Sequence, residues 1–391
     1  MNGASRPTSG EPSGARAAVV PPASRLEQDE RWARAALGFL VEPGHTGLVP
    51  MVKDLGAVET LAAVRAGRAG RAAETYVRLP DLDVRRIATE VQRVGARVVV
   101  PGDPEWPVRV EALRRPPLCL YVSGSADLAD DTGRSVSVVG SRMASDYGRA
   151  AAADLGEGLA SRGWASVSGA ATGIDAAVHR GTLAAGGCTV AVLACGIDRV
   201  YPRTHGRLLE AVRQHGAVVT EMPPGSAPLP RRFLARNRLI AALSRATVVV
   251  EASLRSGSLS TANEAATLAR PVAAYPGPVT SATSAGCHRL LRHHVAELVT
   301  NVDEVLELAA SIGEELAPEG VGEIRPTDGL DPVEHQVWSV TPLRRWVDPA
   351  DLASAAGVDP ALVPRAVAVL EALGLLDRDG DRVRKASPPA G

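Results

Sequence analysis

Short apolar runs alternate with longer stretches of helical periodicity through the middle of the chain. Val136, Val138 and Val139 form one such run, which reads as a buried parallel strand. Gly140-Ser141-Arg142 breaks it, and an Ala/Leu-rich pattern of helical period follows over residues 147–162. A second strand, 164–168, runs into Ser168-Gly169-Ala170-Ala171-Thr172-Gly173-Ile174-Asp175. That loop opens a helix carrying His179. The alternation continues with strands at 189–193, 217–220, 247–250 and 271–275. Helical patterns at 205–214, 233–243, 258–268 and 286–294 lie between and after them. This order predicts an α/β domain with a Rossmann-like, doubly wound, mostly parallel sheet.

The flanks read differently. Residues 1–25 are rich in Ser, Gly, Pro and Ala and are expected to be a disordered tail. Over 26–80, Trp32, Ala36, Phe39 and Leu40, then Val52, Leu55, Val58 and Leu61, give helical periodicity. This resembles a small module of sterile-alpha-motif or helix-hairpin-helix type. The Rossmann-like domain is expected over 81–312, beginning with a helix at 81–94 and strands at 97–100 and 118–122. Prolines 101, 104, 107, 116 and 117 prevent continuous helix between those strands. A polar linker, 313–329, precedes three helical patterns at 333–340, 350–356 and 361–373. A hairpin turning at Asp379-Gly380 follows. Three helices and a hairpin predict a winged-helix domain over 330–386, with Arg378, Arg382, Arg384 and Lys385 on the wing.

Composition narrows the function classes. The 391 residues are 45% hydrophobic, enough for real cores. The formal net charge of -1 excludes a globally basic nucleic-acid binder but leaves room for a local basic groove. The basic residues are nearly all Arg and Ala is abundant, which first reflects a GC-rich genome. Cys119, Cys188, Cys195 and Cys287 are scattered with no C-x-x-C pair, so neither a zinc site nor a disulfide framework is expected. No long apolar run or signal core appears, and a cytoplasmic location without membrane contact is expected.

Strand, glycine turn and helix is the arrangement in which free backbone N–H groups meet phosphate. Here it occurs twice in tandem, which should bring both loops to one carboxyl edge of the sheet. The spacing is neither G-x-G-x-x-G nor a P-loop with its Lys. The alternative is that these glycines only make tight turns.

A set of motifs points to one family. They are Asp103-Pro104-Glu105-Trp106-Pro107, Gly140-Ser141-Arg142, Ser168-Gly169 with Gly173-Ile174-Asp175 and His179, and Tyr201-Pro202. Phe233 with Arg236-Asn237-Arg238-Leu239-Ile240, Ser256-Gly257-Ser258 with Thr261-Ala262, and Pro276-Gly277 complete it. With these, the chain resembles the DNA-processing protein A family (DprA, or Smf) over about 26–385. The resemblance implies a bacterial recombination mediator, commonly a dimer, with neither cofactor nor catalytic residue. Such proteins bind single-stranded DNA and load RecA recombinase on it during natural transformation. Thr172, Cys287-His288 and Glu264 depart from the family pattern.

On that reading the site residues take roles. Arg142 sits at a strand's carboxyl end, and Arg236 and Arg238 offer guanidinium groups for phosphate. Ser141, Ser168, Gly169, Gly173, Ile174, Ser256, Gly257 and Ser258 offer amides and hydroxyls, Asn237 a side-chain amide, and Thr261 a hydroxyl at a helix start. Structural alternatives stand beside these. The alternative for Arg142 is pairing with Asp175. Arg236 and Arg238 are two apart on a helix and share no face, so the alternative for one of them is a structural role. Asp175 suits a helix cap, and His179 a hydrogen-bonded brace. Tyr147 is the aromatic expected near the pocket, so base stacking should be limited. Dimer contacts are expected in 190–209 and 218–222.

Two other classes remain. Residues 256–264 overlay the P-G-G-x-G-T-x-x-E signature of cytokinin-releasing nucleotide phosphoribohydrolases, with Glu264 at the carboxylate's place and Arg236-Asn237 on their Arg-Lys pair. The first Pro and two glycines of that signature are lost, and the Lys is Asn. A scaffolding protein that uses the wing without nucleic acid is the third class.

Overall fold

The computed structural model describes residues 20–68, 70, 76–311, 314–318 and 325–386. They divide into two compact units, 1–317 and 318–391. Most of the expected tail and part of the expected linker lie outside the described residues. The end of that tail is helical instead: α1 spans Ala23–Glu27 and buries Leu26.

Three more helices follow, α2 (Glu30–Leu40), α3 (Leu48–Leu55) and α4 (Ala57–Arg65). Asp29 caps α2 by accepting from the amides of Arg31 and Trp32. Ala33, Ala36, Leu37 and Leu40 recur at helical spacing and are buried. They join one core with α5 (Val84–Arg93) and with Tyr121, Leu193 and Leu209 of the α/β region. The N-terminal module is therefore not a free-standing domain: helices this short close their core only against the sheet.

The sheet has nine strands. They are β1 (Arg97–Val99), β2 (Leu120–Gly124), β3 (Ser135–Val139), β4 (Ala165–Ser168), β5 (Thr189–Val192), β6 (Ala217–Thr220), β7 (Ala246–Val249), β8 (Val272–Ala274) and β9 (Glu297–Leu298). Their spatial order is β1-β2-β6-β5-β4-β3-β7-β8-β9. The seven from β6 to β9 are parallel, and β2 and β1 add antiparallel at one edge. The expected Rossmann-like fold is present. Successive strands step one way from β3 to β6, and then β7 returns to the other side of β3. That reversal is a topological switch point, and the crevice beyond its strand ends is where such sheets bind ligands.

Alternation along β3 fixes the layers. Val136 and Val138 pack with α7 (Asp146–Ser161), α8 (Ile174–Ala184) and α13 (Val302–Ala309) on one face. Val139 packs on the other with α10 (Pro230–Leu243), α11 (Ser258–Thr267) and α12 (Ala285–Arg292). Ser137 faces that second layer and donates to the Ile240 carbonyl at 2.7 Å, so its buried hydroxyl is satisfied. Helices α6 (Leu128–Gly133) and α9 (Gly206–His215) complete this unit.

Burial corrects one expectation about association. Val190, Leu193, Ile197, Leu209, Val218 and Met222 are all at most 3% exposed within a single chain. The apolar residues of those segments build the sheet interior and offer no face to a second copy. Val200 and Tyr201 are the exposed exceptions.

The second unit holds α14 (Pro332–Val340), α15 (Pro349–Ala356), α16 (Val363–Ala372) and the hairpin β10 (Leu376–Asp379) with β11 (Arg382–Lys385). Its separate core includes Val337, Leu352, Val367, Leu370 and Val383. Among the described residues, no helix of the chain is long and apolar enough to cross a membrane.

Candidate functional site

At the switch point, the loops after β3, β4 and β7 and the α10 helix enclose an open cavity of about 760 Å³. Two glycines let these parts meet. A Cβ on Gly140 would lie 2.5 Å from Ile174 Cγ1 and 2.9 Å from the Glu251 carbonyl. Gly173 has φ +81°, and a Cβ there would lie 2.1 Å from the Ser141 carbonyl. The first two loops are then tied together. The Ile174 amide donates to the Ser141 carbonyl at 3.2 Å, and the Thr172 hydroxyl donates to the Arg142 carbonyl at 3.2 Å.

Ser141, Arg142 and Asp175 line the cavity on this side, and Arg236 and Asn237 line it from α10. Ser256, Gly257, Ser258 and Thr261 line it from the start of α11. The Asn237 amide donates to the Gly257 carbonyl at 3.2 Å and fixes the α11 entry. Neither α8 nor α11 begins with a side-chain cap, because each N-cap residue is glycine. The α11 start, whose Gly257 and Ser258 line the cavity, therefore adds its partial positive charge to it.

The cationic groups differ in what they can do. Arg142 is exposed, and its guanidinium lies 5.1 Å from the centre of the Phe233 ring. No carboxylate lies within ion-pair distance of it among the described residues, so the alternative pairing with Asp175 does not form. Arg236 is 6% exposed and donates to the Gly169 carbonyl at 2.8 Å and to the Val192 carbonyl. It braces two strand ends. Burial pulls its pKa down to about 10, against the favourable field of Asp175. Burial likewise raises Asp175, with Arg236 the largest opposing influence. Asp175 accepts from the Ala171 amide at 3.3 Å, so it braces the loop before α8 and not the helix start.

Six expected contact residues do not line the cavity. Ser168 is fully buried and donates to the Val138 carbonyl at 2.6 Å. Gly169 lies beneath Arg236, whose Nη1 would be 2.2 Å from an added Cβ. Gly173 and Ile174 are packed under the β3 loop. His179 is fully buried, its Nδ1 2.7 Å from Thr189 Oγ1. Burial, then the nearby His205 and Arg236, hold its pKa down at about 3, so it is a neutral brace. Arg238 points to the opposite side of α10 and pairs with Glu221. For Ser168, His179 and Arg238 burial removes the surface that a phosphate contact needs. Glu264 is also absent from the lining.

Two features exceed the sequence expectation. Tyr201 and Phe233 both line the cavity, with ring centres 5.2 Å apart and planes tilted by 56°. Tyr147 instead donates to the Pro276 carbonyl at 2.6 Å. Phe233 lies three and four residues before Arg236 and Asn237 on one helix, a spacing that could have placed it on their face. Glu251 is 2% exposed and unites three segments: it accepts from the Ser145 amide at 2.9 Å, the Ser145 hydroxyl at 2.6 Å and the Thr283 hydroxyl at 3.0 Å. No local pattern distinguishes this carboxylate from a surface Glu.

Residues 97–310 match the family profile of DNA recombination-mediator protein A. A putative DNA processing protein DprA of Mycobacterium tuberculosis is 44% identical over 365 residues, covering 89% of this chain and 92% of that protein. The X-ray structure of DNA processing protein A from Streptococcus pneumoniae superposes with a TM-score of 0.62 at 32% identity, covering 71% of this chain and 96% of that one. DNA processing protein A from Helicobacter pylori, described for its single-stranded DNA binding mode, gives a TM-score of 0.50 at 28% identity. That match covers 54% of this chain and 94% of that one.

Proposed function

From the premise that this chain belongs to the DNA recombination-mediator protein A family, we propose that it is a single-stranded DNA-binding recombination mediator that acts without chemistry of its own. It protects the strand and loads RecA recombinase on it during DNA uptake, working in the cytoplasm as a homodimer. The observation that carries the DNA-binding part is the Arg142–Phe233–Tyr201 group at the mouth of the switch-point cavity. A strand bound there presents phosphates to Arg142 and the α11 start, and the faces of its unpaired bases to the two rings. A duplex keeps those faces stacked, so the same surface favours single strands. The residues used are Ser141, Arg142, Asn237, Ser256, Gly257, Ser258 and Thr261, with Arg236 and Asp175 shaping the floor.

The phosphoribohydrolase alternative needs a carboxylate beside the ribose. Glu264 stands outside the cavity lining, and the carboxyl that does line it, Asp175, is held toward its neutral form by burial. The test is fluorescence anisotropy with a dT oligomer and a duplex of equal length across salt. Preference for the single strand supports the proposal, and equal or stronger duplex binding overturns it. Incubation with nucleoside monophosphates should release no free base; release abolished in Glu264→Gln would favour the hydrolase. Light scattering at tens of micromolar tests the dimer.

A further inference from the structure

The opposite, amino edge of the sheet carries a second basic concavity. Arg245 immediately precedes β7, Arg270 stands two residues before β8, and Arg109 comes from a 3-10 helix, Val108–Ala112. The three side chains line an open space of about 410 Å³, walled on one side by the end of α13. Each guanidinium is held by backbone carbonyls. Arg270 donates to Ser244 at 2.6 Å and to the Arg109 carbonyl at 3.1 Å. Arg245 donates to Gly133 at 2.7 Å, and Arg109 to Thr132 at 2.9 Å. The guanidinium groups are therefore fixed in place before any ligand arrives.

What this cluster lacks is counter-charge. Among the described residues no carboxylate pairs with Arg109 or Arg270. Arg245 meets only Glu314, at 3.5 Å, at the beginning of the linker segment. Glu315 next to it pairs with Arg134 at 3.2 Å. Burial lowers the pKa of Arg109 and of Arg270, and in each case a neighbouring arginine, Arg245 or Arg109, lowers it further. Carbonyls satisfy part of each guanidinium, and the Arg245 group also lies 5.5 Å from the centre of the Trp164 ring, while Nε and Nη2 of Arg109 and Nη2 of Arg245 have no hydrogen-bond partner among the described residues. Fixed, mutually repelling guanidinium groups with unused donors fit an oxyanion.

We propose that this amino-edge concavity is an oxyanion site that takes backbone phosphates of a DNA strand, which displace Glu314 and Glu315. The oxyanion chemistry stands on the cluster itself; the choice of DNA as its source rests on the function proposed above. A strand held at both edges would be anchored at two places on one molecule.

The double variant Arg109→Gln/Arg245→Gln tests it on the full chain, by anisotropy with a long dT oligomer between 50 and 200 mM salt. Two lost phosphate contacts flatten the log-log salt slope by about 1.4, so the affinity deficit shrinks about sevenfold across that range. Arg142→Ala is measured beside it. A flattened slope in Arg142→Ala with none in the double variant leaves the carboxyl-edge site standing and overturns this one. The reverse result supports this site and removes the other. Calorimetry with pyrophosphate separates the sources of phosphate. Heat that the double variant abolishes, with an unchanged oligomer slope, overturns DNA as the occupant in favour of a free phosphate ester. Glu314→Gln/Glu315→Gln leaves every carbonyl tether of Arg109, Arg245 and Arg270 intact and should tighten oligomer binding about two- to fivefold at low salt. If the arginine variant fails to fold, unchanged affinity in this carboxylate variant overturns the proposal.

Discussion

Arg142 and Arg236 line the same cavity, yet they should respond to mutation in opposite ways. The Arg142 side chain is exposed, and its guanidinium lies 5.1 Å from the centre of the Phe233 ring. Losing an exposed cation–π contact costs about 0.5–1 kcal/mol, about 1–2 °C of melting temperature for a unit of this size. If Arg142 neutralises one phosphate, Arg142→Ala flattens the single-strand salt slope by about 0.7. Its affinity deficit then shrinks about 2.6-fold from 50 to 200 mM salt, alike for every sequence. Arg236→Ala instead removes a buried cation that holds the Gly169 and Val192 carbonyls. Two such bonds at about 1.5–3 kcal/mol each amount to about 5–10 °C. Folded Arg236→Ala should keep the wild-type slope if the residue only braces the fold. Anisotropy across salt and thermal melting read both quantities. An unchanged slope in Arg142→Ala, or a fall in its melting temperature as large as that of Arg236→Ala, would refute this division of labour.

Gly140→Ala should lower the melting temperature by about 2–5 °C and weaken single-strand binding, because the new Cβ drives into Ile174 and the Glu251 carbonyl and separates two cavity loops; an unchanged melt would refute it. Glu42 anchors the N-terminal helices to α10 through Arg232 at 2.7 Å and also meets Arg78 and Arg231. Burial raises its pKa, but hydrogen bonds from those arginines overcome this and hold it at about 2. Its contribution is thus full above about pH 4.5 and is lost as the pH falls toward about 2. Glu42→Gln should therefore flatten the acid limb of the melting-temperature profile in that window. Removing residues 318–391 should leave single-strand affinity within about threefold. Arg365 is the one cation on α16. Arg384 and Lys385 of the hairpin lie over Trp346 and Trp338, and Arg378 pairs with Glu371. A loss near a hundredfold, about 2.7 kcal/mol, would contradict this.

Local pattern determined a great deal. Apolar runs of four or five residues between helical stretches are sufficient for the β3–β8 elements and the parallel sheet, because buried strands and amphipathic helices each leave a signature within a few residues. Three helices and an Asp-Gly turn likewise announce the second unit. Glycine at 140 and 173 marked the two loops that meet at the cavity. Only the tertiary structure decided what each polar residue faces. Arg236 and Arg238 look equivalent in the chain, yet α10 turns one toward the cavity floor and the other onto Glu221. His179 and Ser168 sit in the glycine-loop motif but lie beneath it, held inside by hydrogen bonds to Thr189 and Val138. Tyr201 reaches Phe233 from 32 positions away. The amino-edge arginines come from three separate segments that converge where β7 and β8 begin beside one 3-10 helix. Periodicity reports how an element is buried against its neighbours, whereas a site is made of side chains from distant elements, and their meeting depends on strand order and helix rotation that no local window contains.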